Sequence, residues 1–170
     1  MLGLTNLGAI HTAISLVALA AGIASLVRFG EIRAGHVLGR VYFWTTVLTC
    51  LTGFGIFQHG GFGKPHALGV LTLLVLAAVA AAKTDRWFGK GARYVETIGY
   101  STTFFFHLIP GLTETFTRVP VGAPLFSGPD DPTLQKIVGF LFVLLVGGCV
   151  LQVRRLRGQQ ATWRATRVAQ

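Results

Sequence analysis

The sequence predicts an all-α fold: an integral membrane bundle of five transmembrane helices, with the N-terminus outside and the C-terminus cytoplasmic. Three observations lead there. The 170 residues are 52% hydrophobic and only 12% charged, too little polar surface to wrap a soluble globule. Five apolar stretches, Leu4–Val27, Val41–Gln58, His66–Ala82, Tyr94–Thr113 and Ile137–Val153, approach the ~20 residues that a ~30 Å hydrocarbon core requires. Threading the chain through these five puts Arg28, Arg33, Arg40, Lys83, Arg86, Lys90, Arg93, Arg154, Arg155, Arg157, Arg164 and Arg167 on one side. Only Lys64, Arg118 and Lys136 fall on the other. Twelve basic residues against three place the first side in the cytoplasm of a bacterial-type inner (plasma) membrane. The net charge of +9 is therefore a topology signal with some affinity for anionic lipid. Nothing in it reads a nucleic acid.

The first helix carries His11, Ser15, Ala18, Gly22 and Ser25 at helical spacing, a seam of small residues that lets a neighbouring backbone approach. No basic residue precedes it and no clear cleavage site follows, so it is expected to stay as a helix rather than leave as a signal peptide. A short turn, FGEIRAG, leads to the second helix, whose Thr45, Thr46, Thr49 and Thr52 are expected to bond back to their own carbonyls. The glycine-rich hairpin GGFGKP, flanked by His59 and His66, sets Pro65 at the start of the third helix, where proline is tolerated. That helix is otherwise apolar. After the fourth helix, the loop 115–132 is rich in Pro and Gly, with Asp130 and Asp131 at its end, and its length suits a lid or a partner contact. The fifth helix reads as a scaffold. Residues 1–153 thus form a single transmembrane domain, and 154–170 a basic cytoplasmic tail. Cys50 and Cys149 sit within helices and read as small core residues rather than a disulfide or metal pair.

The fourth helix is the exception to apolarity. Glu96, Tyr100, Thr103, His107 and Glu114 follow one another at offsets of four, three, four and seven, which places all five on one face. Hydrocarbon offers an imidazole or carboxyl group no partner, so this face lines protein, water or a cofactor. Glu96 lies near Arg93 and Arg40, where a structural ion pair at the cytoplasmic end is the plainer assignment. Glu114 and Arg118 are spaced for a surface pair.

At ~1.5 Å rise per residue, His11, His59, His66 and His107 each lie roughly 21–28 Å from the nearest basic residue at the cytoplasmic boundary. Four histidines from four helices therefore share one layer near the outer face. Two from opposed helices, His11 with His66 or His59 with His107, suit a b-type haem and electron transfer with a quinone as partner, with Tyr100 in support. Three with Glu114 as ligand or base suit zinc and an intramembrane hydrolase. Histidines that merely bond to headgroups, water or loop carbonyls leave a cofactor-free accessory subunit or small carrier of a membrane complex. His36, alone near the cytoplasmic side, reads as a turn residue.

The run from His36 through Leu38, Gly39 and Arg40 to Tyr42, followed by the Thr- and Gly-rich helix and His66-Ala-Leu, resembles a family of small bacterial predicted membrane proteins. Its members carry a His-x-x-Leu-Gly-Arg-x-Tyr-like stretch after the first helix, and the family belongs to the domain-of-unknown-function class. The resemblance implies a multi-helix membrane protein and no particular activity. A weaker likeness to cytochrome b561-type bundles rests on histidines in facing helices.

Overall fold

Five α-helices and one 3-10 turn make up the computed structural model, with no strand among the described residues. Those are 5–57, 61–83 and 88–168, the side chains of 162–168 excepted. Helix α1 (Asn6–Phe29) starts where the Thr5 hydroxyl accepts the Gly8 N–H at 3.1 Å. It stops at Gly30, whose φ of 72° and N–H bond to the Leu26 carbonyl close the last turn. Helix α2 (Val37–Gly53) follows a loop that folds back on it: a Cβ on Gly39 would collide with the Arg33 carbonyl. Helix α3 (Lys64–Ala82) carries Pro65 in its first turn, as expected. The 3-10 turn Gly89–Gly91 leads into α4 (Ala92–Phe116), with Pro110 inside it. Helix α5 (Pro132–Val168) begins with a proline behind Asp131, whose carboxylate accepts the Thr133 N–H at 2.8 Å.

Helix α1 packs on α2, α2 on α3, α3 on α4, and α1 also reaches α4, so the first four close into a ring. Helix α5 packs on α4 from outside. The core of the ring gathers Ala18, Ala21, Ile32, Tyr42, Leu76, Val79 and Tyr100. The small seam of α1 makes room for aromatic rings: a Cβ on Gly22 would lie 2.7 Å from the Phe104 ring and 3.2 Å from that of Tyr42.

The distribution of polarity is inverted relative to a protein in water. The buried polar side chains include Ser25, Thr46, Thr49, Thr72, Thr97, Ser101 and Thr103, while Val27, Trp44, Leu74, Phe140 and Leu151 stand exposed. Three helices are long and apolar enough to cross a membrane, α1, α3 and the stretch Pro132–Ala161 of α5. Helix α2 has 17 residues with Arg40 in its first turn, and α4 carries the polar face.

All five expected helices are present, with shifted bounds. Helix α2 runs Val37–Gly53 instead of starting at Val41, and its expected end, Gln58, lies outside the described residues, as does His59. The segment from residue 154, expected as a basic tail, is helical and continues α5 as far as Val168. Arg and Gln favour helix, and two of these side chains anchor the segment. Arg155 donates to the Phe29 carbonyl at 2.7 Å, and Gln152 donates to the Gly30 carbonyl at 3.1 Å.

The start of α5 supplies a pH test. The N–H groups of Thr133 and Ser127 beside Asp131 hold its carboxyl below the ordinary value of 3.8. A depressed pKa contributes stability that is present above the unfolded value and lost as pH falls through the folded one. Asp131→Ala is expected to lower the thermal midpoint in detergent at neutral pH. The gap to the wild type is expected to close as the medium is acidified below the ordinary aspartate range, as followed by circular dichroism.

Candidate polar seam through the bundle

The polar face of α4 meets α2 and α1 inside the ring. Tyr42 of α2 and Tyr100 of α4 are fully buried, their rings in edge contact at 5.9 Å. The Tyr42 and Thr103 hydroxyls lie 3.0 Å apart, and the Thr103 hydroxyl donates to the Tyr100 carbonyl at 3.0 Å. Because Thr103 has one proton and that proton is committed, Tyr42 is the donor in the pair. The His107 ring lies 6.5 Å from that of Tyr42.

Toward the far end, His11 Nδ1 sits 3.0 Å from Thr52 Oγ1. The Thr52 hydroxyl already donates toward the carbonyls of Leu48 at 2.8 Å and Thr49 at 3.1 Å. His11 is therefore the donor through Nδ1, and Nε2 keeps the lone pair of the neutral ring. His11 is near enough to interact electrostatically with both His107 and Glu114. Three buried atoms in the seam have no hydrogen-bond partner among the described residues: Thr46 Oγ1, Tyr100 Oη and His107 Nε2.

From Glu96 to Glu114 the α4 stripe rises through 18 residue steps, roughly 27 Å of helix, close to the ~30 Å of a hydrocarbon core. At the basic end it finishes in an ion network. Arg93 donates to both Glu31 oxygens at 2.9 and 3.0 Å and to Glu96 at 2.8 Å. Glu96 also accepts the Ala34 N–H at 3.0 Å, and the Thr97 hydroxyl donates to Glu31 at 3.2 Å. This clasp ties the α1–α2 loop to α4. The expected structural role of Glu96 is met with Arg93 as partner. At the other end Glu114 pairs with Arg118 at 2.5 Å, with the Glu114 side chain 56% exposed.

The remaining histidines go elsewhere. His66 accepts the Gly63 N–H on Nδ1 at 3.3 Å, which caps its own helix. Its ring is enclosed by Phe54, Phe57 and Phe62, with centroids 6.5, 5.1 and 5.3 Å away. The His36 ring lies tilted against that of Phe29, centroids 4.2 Å apart, in the turn that precedes α2. Among the described residues no three His, Cys, Asp or Glu side chains form a metal-binding group. Of the histidines expected in one layer, His11 and His107 come within electrostatic range of each other, while His66 caps its own helix start.

Sequence reading passed over Glu31 and Tyr42. Glu31 had one signal, as the sole acid in a basic loop. Tyr42 had another: with Thr46 and Thr49 it repeats on α2 the spacing of the α4 stripe. The expected back-bonding of threonines holds for Thr45, Thr49 and Thr52, whose hydroxyls donate to Val41, Thr45 and Leu48 carbonyls. Thr46 departs from it.

No family model, curated protein or solved structure matches the chain.

The clasp predicts its own mutational signature. Removing one partner of a fully buried ion pair costs roughly 3–5 kcal/mol. With the Arg93 side chain 28% exposed, Arg93→Met is expected to cost less, on the order of 2 kcal/mol after solvent screening. Adding Glu31→Gln and Glu96→Gln to Arg93→Met is expected to recover part of the lost thermal midpoint, because the uncompensated charge goes with them. A triple variant no more stable than the single would refute the ion-network account.

Proposed function

We propose that the chain is a small multi-pass membrane protein that passes protons along the seam lining α4. It sits in a bacterial-type plasma membrane with five crossings, N-terminus outside and C-terminus cytoplasmic. The crossing count rests on the twelve-to-three division of basic residues and on α2 and α4 being held within the ring, where neighbours shield their polar groups.

The observation that carries the reading is the trio of unpartnered buried atoms, Thr46 Oγ1, Tyr100 Oη and His107 Nε2, in a single seam. An unpaired polar group in hydrocarbon costs several kcal/mol. Three of them on two facing helices call for water between them, which needs polar partners on more than one side. Water joining phenols, threonine hydroxyls and imidazoles is a relay, since each group accepts a proton on one side and releases one on the other. His11 and His107 are the members that hold a proton in transit. The two ends are charged, with the Glu31–Arg93–Glu96 clasp on one side and Glu114 on the other.

One observation favours a second reading. His11 and His107 come from α1 and α4 and lie within electrostatic range of each other, so their Nε2 atoms are the pair that would ligate a haem for electron transfer with a quinone. The seam would have to open to admit it. Two surface grooves among the described residues, one between α4 and α5 and one at the start of α5, are lined by residues other than these histidines.

The deciding variant is Tyr100→Phe. Deleting a hydroxyl that only sits unpaired is neutral or stabilising. Deleting one that relays protons keeps the thermal midpoint and lowers flux. In proteoliposomes with an internal pH dye and a valinomycin-set potential, the wild type is expected to conduct above protein-free vesicles. Tyr100→Phe and His107→Leu are expected to reduce flux roughly tenfold or more. No flux from the wild type sinks the proton reading. A Soret band that shifts on dithionite reduction of the same sample selects the haem reading.

A further inference from the structure

We propose that the exposed flank where α5 meets α4 binds one anionic phospholipid, with an acyl chain in the groove and the phosphate on Arg154 and Arg157. This rests on the chain being membrane-embedded and is independent of what the seam conducts.

The groove has a volume of about 450 Å³ and is walled by Thr102 of α4 and by Leu145, Cys149 and Val153 of α5, and it ends at the two arginines. It is apolar along its length and cationic only at that end. The arginines are three residues apart, so their guanidiniums share one face of α5. Both are exposed, and neither makes a hydrogen bond or ion pair with another described residue. Arg155 between them has a different task, holding the Phe29 carbonyl at 2.7 Å. One arginine therefore ties the helix down and two stay available over the groove.

Charge complementarity fixes the occupant. The sequence sets twelve of its fifteen basic residues on this side of a five-helix threading, so a second copy docking here in parallel would meet its own sign. A zwitterionic lipid brings a cationic group to the same guanidiniums. An anionic phosphodiester offers two acceptor oxygens to planar forks that match them. Its chain fills the apolar wall below, and basic pockets beside membrane helices hold such headgroups in the same way.

The test is native mass spectrometry of the full chain released from nanodiscs containing equal parts phosphatidylglycerol and phosphatidylcholine. One phosphatidylglycerol is expected to be retained, with about thirtyfold preference over phosphatidylcholine, the fold-change that two basic side chains near an anionic surface supply. The double change R154Q/R157Q is expected to abolish the preference. V150W, which fills the groove and leaves the charges, is expected to abolish retention. Circular dichroism checks that each variant is folded, and V150A replaces V150W if the tryptophan disrupts α5, with weakened retention expected. Equal retention of both lipids overturns the proposal, as does retention unchanged in R154Q/R157Q. Retention that needs the arginines but survives V150W reports only the general basic field and overturns the site. Displacement of phosphatidylglycerol by excess inorganic phosphate shows a free-anion site instead and overturns it too.

Discussion

A hydroxyl, imidazole or carboxyl group facing hydrocarbon has nothing to bond to, and the arrangement of the bundle follows from that constraint. Helix α4 carries more such groups than lipid tolerates, so it lies against three other helices, α1, α3 and α5. Its Tyr100 and Thr103 are fully buried, while the surface around it is Val, Leu and Phe. Small residues elsewhere serve the same end. Ala18, Ala21 and Gly22 on α1 let that helix close over Tyr42 and Phe104, which brings His11 alongside the seam.

The two ends of the seam differ in kind. At the basic end one guanidinium answers two carboxylates, and the backbone of Ala34 and the hydroxyl of Thr97 supply the remaining bonds. The Glu31 and Glu96 side chains are only 12% and 14% exposed there, so the end is closed and its geometry specified. At the other end Glu114 is more than half exposed and pairs with Arg118, just beyond the end of its helix, a contact worth little. One terminus is rigid and the other open to solvent.

How much of this was legible in the sequence depended on whether a feature was local. The helices were legible because apolar runs and their spacing are properties of contiguous residues. The α4 stripe was legible for the same reason: the offsets from Tyr100 to Thr103 and His107 fix a common face before any partner is known. The lateral position of the histidines was not legible. The Gly63 N–H drew His66 to its own helix start, whereas His11 and His107 turned inward. Glu31 was illegible because its partner Arg93 lies 62 residues away. The length of α5 was hidden because charge density reads as tail, while the carbonyls of Phe29 and Gly30 that extend the helix belong to another part of the chain.

The burial of α4 bears on how the protein is made. A helix with two carboxylates and an imidazole along one side partitions poorly into lipid by itself. The ribosome delivers α1, α2 and α3 first, and these carry most of the surface that α4 needs: Tyr42 and Thr46, the Glu31 carboxylate, and the valines of α3 against Gly99. Helix α5 covers its other side, with the Gln152 amide oxygen accepting the Ser101 hydroxyl at 2.9 Å. In chain order, the helix with the largest polar face follows three helices that shelter it.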